Sequence, residues 1–228
     1  MSPGLAVLTA ALCATSLPET MPAHRRHDFA ARVLLANFAR ILRDARFMIM
    51  AVAFGALFGG FAFLIGGAPD FVTQVLKLPE TGFGYLFVPL VVGMLSGSFL
   101  AARMATRWST ARLIGLAYAV FATSCVTNLA YTASVATPTY PWAVLPLALF
   151  SFGLSIAIPN MTLTALRRVR ELAGTAASTL GFVQMMFFSV VSGWFVPLVY
   201  GDAFRLALAL TVGVLVSACG WWLAGRVP

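Results

Sequence analysis

Six separate stretches of this chain are apolar for long enough to cross a lipid bilayer. They lie at about 47–68, 83–103, 112–132, 142–162, 173–199 and 203–225. Roughly 20 apolar residues wound as a helix span the ~30 Å hydrocarbon core. One such stretch could be a buried core helix. Six of them leave no room for an aqueous core and surface, and composition says the same. Apolar residues make up 61% of the chain and charged residues 10%, with a mean hydropathy of +0.92. Soluble domains carry about 25% charged residues. The expected fold class is therefore an all-α polytopic membrane protein with the lipid bilayer as its solvent and first partner.

The net charge of +8 would raise nucleic acid as a partner in a soluble protein. The positions of the charges argue otherwise. Arg25, Arg26, Arg32, Arg40, Arg43 and Arg46 precede the first full window. Arg103, Arg107 and Arg112 lie between the second and third, and Arg167, Arg168 and Arg170 between the fourth and fifth. Arg226 follows the sixth. The alternate connections hold only Lys77 and Arg205. Thirteen basic residues on one side and two on the other follow the positive-inside rule. The rule places the arginine-rich loops and the C-terminus in the cytoplasm and accounts for the basicity without nucleic acid.

A shorter apolar run, about 4–16, precedes the windows and resembles the last part of a further spanning helix. It has no basic residue before it, against the pattern of a signal peptide. The expectation is that Met1 lies inside a longer reading frame or at a truncation. From Phe29 to Arg46, apolar residues recur at helical spacing (Phe29, Leu34, Leu35, Phe38, Ile41, Leu42) with arginines between them. Two readings stand: a basic amphipathic helix on the cytoplasmic membrane surface, or an extension of the first full helix.

Several chemistries lack their residues. Cys13, Cys125 and Cys219 are far apart in apolar runs, with no Cys/His spacing for zinc and no disulfide framework; they read as small packing residues. Both histidines, His24 and His27, fall in the basic loop, away from any spanning window, where an intramembrane protease or haem protein would need one. No Gly-rich loop with a lysine offers a nucleotide site. The chain reads as no enzyme, without cofactor or metal, and any transport it drives draws on an ion gradient or downhill flow. Asp70, just after Pro69, reads as a solvated carboxylate at a helix end. Leu78-Pro79-Glu80-Thr81-Gly82 matches a cell-wall sorting signal, but five windows follow it, so it reads as a turn opening the second full helix.

Close approach of helices in lipid needs small residues. Gly55 and Gly59, Gly93 and Gly97, and the set Gly174, Ser178 and Gly181 are spaced for it and are candidate helix-packing positions. The functional candidates are polar or aromatic. Pro159-Asn160 is expected to break or kink the fourth helix; Asn160 either bonds a carbonyl freed by the proline or faces a cavity. Gln184 lies near mid-membrane, where a lone amide needs a partner helix or a wet cavity. Phe54, Phe58 and Phe61 form a stripe that either packs, faces lipid, or makes a greasy wall for apolar substrates.

These features together resemble the second half of a major facilitator superfamily transporter, most specifically the bicyclomycin- and chloramphenicol-resistance branch of drug–proton antiporters. The resemblance rests on Leu17-Pro18-Glu19-Thr20, Leu42-Arg43-Asp44-Ala45-Arg46-Phe47, Gly66-Gly67-Ala68-Pro69, Ile158-Pro159-Asn160 and the run from Gly174 to Met185. It implies residues 1–17 as the end of a sixth helix, 18–46 as a cytoplasmic central loop, and 47–228 as a six-helix C-terminal bundle. The stretch matching the family's gating loop runs from Arg103 to Arg112; Arg107 and Arg112 remain of its motif, while the acidic and glycine positions do not match. The implied function is proton-coupled multidrug efflux by alternating access in a bacterial inner membrane. Small amphipathic molecules and protons are the implied partners. The substrate site would lie between two halves, with Phe54, Phe58, Phe61, Asn160 and Gln184 on one wall and the proton-coupling carboxylate in the other half. The alternatives are an exporter of a sugar or other metabolite on the same fold, and a stand-alone six-helix protein or inactive fragment.

Overall fold

The computed structural model of the protein describes Gly4, Val7 and residues 31–227. The stub at 1–17, the first part of the basic loop and Phe29 therefore lie outside the described residues, apart from helical backbone at Gly4 and Val7. The chain divides into two units, Met1–Ala36 and Asn37–Pro228. In the first, Ala31–Ala36 are the opening turns of helix α1 (Ala31–Arg43). The second holds the rest of α1 and all six long helices.

Asp44 decides how the first long helix begins. Its backbone is extended (φ −76°, ψ 93°), and its carboxylate accepts a hydrogen bond from the Phe47 N–H at 3.0 Å. That is an N-cap, satisfying a donor with no helical partner. α1 therefore stops at Arg43 and α2 (Ala45–Gly66) starts anew. Of the two readings of the amphipathic segment, a continuous extension of the first span is corrected to a separate helix. Within it Ile41 is buried, whereas Phe38 and Leu42 stay exposed, Leu42 between Arg40 and Arg43.

Six described helices are long and apolar enough to cross a membrane. The first span, Ala45–Val75, joins α2 to Ala68–Asp70 and a π-helical turn, Phe71–Val75. It outruns the predicted window because Pro69 sits in a first turn, where its missing N–H costs little. The others are α3 (Phe83–Met104), α4 (Thr110–Ser134), α5 (Leu145–Arg168), α6 (Ala173–Val190) and α7 (Ala203–Ala224). The fifth span runs beyond α6 at both ends, from Arg170 to Val199, through a second π turn at Val191–Phe195.

The fourth window shifts most. α5 starts three residues later than expected, after a turn in which the Val144 and Leu145 N–H groups bond the Pro141 carbonyl. It then runs through Pro159 to Arg168, so the proline does not end the helix. The Leu78–Gly82 segment is a short turn before α3, with a 3-10 helix at Glu80–Gly82.

α2 packs on α6, α7 and α5; α5 in turn packs on α3 and α4, and α4 on α7. α2 and α5 thus form the centre. Fully buried Phe47, Leu57, Phe150, Leu154 and Ile156 come from these two helices, with Phe121 added by α4. Phe121 and Phe150 meet at a ring-centroid distance of 5.1 Å. Hydrogen bonds tie further crossings: Tyr118 Oη and Ser217 Oγ are 2.8 Å apart, and Ser124 Oγ donates to the Pro146 carbonyl at 2.7 Å. Cys125 is a buried packing residue as expected, while Cys219 faces outward.

Candidate substrate-cavity wall

The aromatic stripe forms a continuous ladder. Phe54 and Phe58 have ring centroids 5.1 Å apart; Phe58 and Phe61 stand edge to face at 6.4 Å. Phe61 then meets Phe188 of α6 at 6.5 Å. Offset and edge-on geometries suit the ring quadrupoles. Phe54 and Phe58 are buried and Phe61 partly so. Phe188 was not singled out from sequence, because nothing in the α6 pattern distinguishes it from Phe187 beside it.

Small residues on α2 let the two helices touch. A Cβ placed at Gly55 would lie 2.7 Å from Phe187 Cδ2 and 3.1 Å from Val183 Cγ1; one at Gly59 would lie 3.2 Å from Val191 Cγ2. These pairs set the register and bring Gln184 to the level of Phe54. Gln184 lies one turn before Phe188 on the same side of α6. It is half-buried, and among the described residues its carboxamide has no hydrogen-bond partner. Gln184 and the phenylalanine ladder are thus neighbours in height along adjoining helices.

Asn160 stands apart on α5. It is buried, and its Nδ2 donates to the Ile156 carbonyl at 2.7 Å. The carbonyl deprived of a donor by Pro159 is that of Ser155, four residues before the proline. Asn160 therefore bonds the next carbonyl along, not the freed one. Its own carbonyl accepts from Thr164 Oγ1 at 2.8 Å.

Gly93 and Gly97 sit where α3 crosses α5. A Cβ at Gly93 would run into the Ala148 carbonyl, and one at Gly97 into the Phe152 carbonyl and Ser155 Oγ. Backbone cannot yield as a side chain can, so only glycine permits this approach. The third set differs. A Cβ at Gly174 or Gly181 meets nothing within 4 Å, and Ser178 is exposed, its hydroxyl bonded to the Gly174 carbonyl. The buried residues of α6 are instead Ala176, Thr179, Leu180 and Val183.

At the arginine-rich end, Arg103, Arg107 and Arg112 are exposed around the α3–α4 turn, where Ser109 caps α4. A residue missed by sequence reasoning acts nearby. Arg168 Nε donates to both Asp44 oxygens, at 3.0 and 2.9 Å. The N-capping carboxylate of α2 is thereby tied to the end of α5. The sequence signal was an acidic residue directly before an apolar run. At the opposite end, Asp70 is the helix-end carboxylate expected, and it is also hydrogen-bonded. It is half-buried, and its Oδ2 accepts from the Gly201 N–H at 2.6 Å, bridging the end of the first span to the turn before α7.

This order and adjacency of helices now meets an independent comparison. Residues 1–187 match the Major Facilitator Superfamily. The chain belongs to that superfamily. Among its relatives, it is 25% identical over 217 residues to a bicyclomycin resistance protein homolog of Haemophilus influenzae, covering 95% of this chain and 54% of the relative. It is 25% identical over 194 residues to the multidrug transporter MdfA of Escherichia coli O6:H1, covering 82% and 47%. It is 26% identical over 186 residues to the uncharacterized MFS-type transporter YdgK of Bacillus subtilis, covering 79% and 44%. The chain thus spans about half the length of the curated relatives it matches. In this facilitator chain, the six long helices are the multi-pass membrane unit read from sequence.

Proposed function

We propose that this chain is the C-terminal six-helix half of a proton-coupled multidrug exporter of the bicyclomycin- and chloramphenicol-resistance type. It is a transporter, not an enzyme. In this reading residues 1–17 close a sixth helix, 18–46 form the cytoplasmic central loop, and the C-terminus faces the cytoplasm of a bacterial cell. The full protein rocks between inward- and outward-facing states around a site between its halves.

The observation that carries the reading is the ladder of Phe54, Phe58, Phe61 and Phe188, with Gln184 one turn from its last ring. Aromatic walls accept amphipathic molecules of varied shape, because such contacts impose no single hydrogen-bond pattern. One carboxamide, without a partner among the described residues, adds a point of polar contact without fixing charge. The relatives named for bicyclomycin resistance and multidrug transport support the same substrate class. Protons couple through a carboxylate outside this half. Asp70, the nearest acidic residue to any mid-span here, is engaged by the Gly201 N–H.

The test is resistance profiling in a drug-sensitive bacterial host carrying the transporter that contains these residues. Gln184→Ala is expected to change the relative resistance to different drugs by roughly tenfold for polar ones, about the effect of one lost hydrogen bond, with membrane abundance unchanged. A profile identical to that of the parent would leave Gln184 as a packing residue and remove the proposed wall.

A further inference from the structure

A second apolar surface lies on the other side of α2 from the phenylalanine ladder. It is a groove of about 450 Å³ between the first, fifth and sixth spans, with Ala56, Gly59, Phe63, Val191, Leu208 and Val212 among its walls. None of Phe54, Phe58, Phe61 or Gln184 lines it. Its depth comes from glycine: at Gly213 a Cβ would meet the Gly60 Cα at 3.2 Å, so the two backbones nearly touch at the groove floor.

Length and charge identify an occupant. Along α7 the lining runs from Arg205 to Val216, eleven residues on. At 1.5 Å per residue that is a rise of roughly 16 Å, about half of the ~30 Å hydrocarbon core. The groove is thus one leaflet deep. Arg205 is the one charged residue of its lining among the described residues, and it stands at the terminal end of the span, in the first turn of α7. Leu198, Leu208 and Val212 are all about half exposed or more, so the groove is open along its side. We propose that it holds one acyl chain of an anionic phospholipid, with the lipid phosphate at the Arg205 guanidinium. The site depends only on the chain spanning a bilayer and not on transport.

Asp202 tunes this site. Its Oδ2 lies 3.1 Å from Arg205 Nε, and its Oδ1 caps α7 by accepting from the Phe204 and Arg205 N–H groups. Asp202 therefore competes with a phosphate for the same cation. Its capping job can be done by asparagine, which serves at an N-cap as well as aspartate. The two residues then make opposite predictions from neighbouring positions. A merely structural role for the pair would move both variants the same way.

The experiment is thermal unfolding of the purified 228-residue chain in mild detergent, titrated with phosphatidylglycerol, with phosphatidylcholine of the same acyl chains, and with glycerol phosphate alone. Phosphatidylglycerol is expected to raise the midpoint at lower concentration than phosphatidylcholine, and glycerol phosphate not to raise it. Arg205→Gln is expected to increase the half-saturating phosphatidylglycerol concentration about five- to tenfold, the scale of one charge-assisted hydrogen bond. Asp202→Asn is expected to decrease it. Val212→Trp, which fills the groove, is expected to blunt both lipids. Equal response to the two lipids, a shift from glycerol phosphate alone, or Asp202→Asn weakening the response would each overturn the proposal. Should Arg205→Gln fail to fold by circular dichroism, the direction of Asp202→Asn decides.

Discussion

The first and fifth spans have nearly the same length, 31 and 30 residues, and both widen into a π turn near the same end. Their burial is opposite. In the most apolar stretch of the first span 67% of residues are buried within the protein; in that of the fifth, 11%. The difference teaches that apolarity selects the bilayer as solvent without saying which helices face it. In lipid there is no hydrophobic drive between helices, so an apolar side chain is equally content against a tail or a neighbour. Burial is instead set by where backbones can approach. The first span has Gly55, Gly59 and Gly60 turned toward neighbours, whereas Gly174, Gly181 and Gly193 of the fifth meet nothing within 4 Å.

Truncating the buried span should have the largest effect. Leu57 is fully buried in α2, and Leu57→Ala is expected to cost about 2–3 kcal/mol, chiefly from the cavity it leaves. Reversible unfolding of the chain in mixed micelles reads this directly. A cost below about 0.5 kcal/mol would mean the first span is no more enclosed than the fifth. Gly55→Leu comes next, at about 1–2 kcal/mol. The colliding atoms belong to Phe187 and Val183, and a partly buried ring can turn aside where a backbone could not. The smallest effect belongs to Gly181→Leu on the open face, within about 0.5 kcal/mol in the same assay. If Gly181→Leu matched Gly55→Leu, that face of the fifth span would be covered and the contrast between the two helices would fail.

Much of the fold was legible before any coordinates. Length and apolarity gave six spans because the bilayer thickness imposes one scale on every helix. Boundaries drifted where chemistry at the ends mattered more than hydropathy. Pro69 did not stop the first span, since a proline in a first turn forfeits no bond, and Pro159 did not stop the fourth. The site was less legible. The spacing of Phe54, Phe58 and Phe61 displayed a stripe, but Phe188 enters only because α6 lies alongside α2. Asn160 and Gln184 looked alike as lone amides. One is closed onto the Ile156 carbonyl and the other is without a partner among the described residues, a distinction of rotamer and neighbour that spacing does not encode.

Asp44 and Asp70 draw the same line. As sequence, each is a carboxylate at the edge of an apolar run. Their partners, Arg168 and the Gly201 N–H, lie 124 and 131 residues away. What the sequence by itself determined is the solvent, the number of spans and, through its arginines, an expected orientation, because these follow from one-dimensional sums over each segment. What only the tertiary structure decided is which apolar faces are enclosed, which polar groups are satisfied, and where a ladder and a groove form on opposite sides of α2. Those depend on backbone approach distances between remote segments, and a few tenths of an ångström at a glycine settle them.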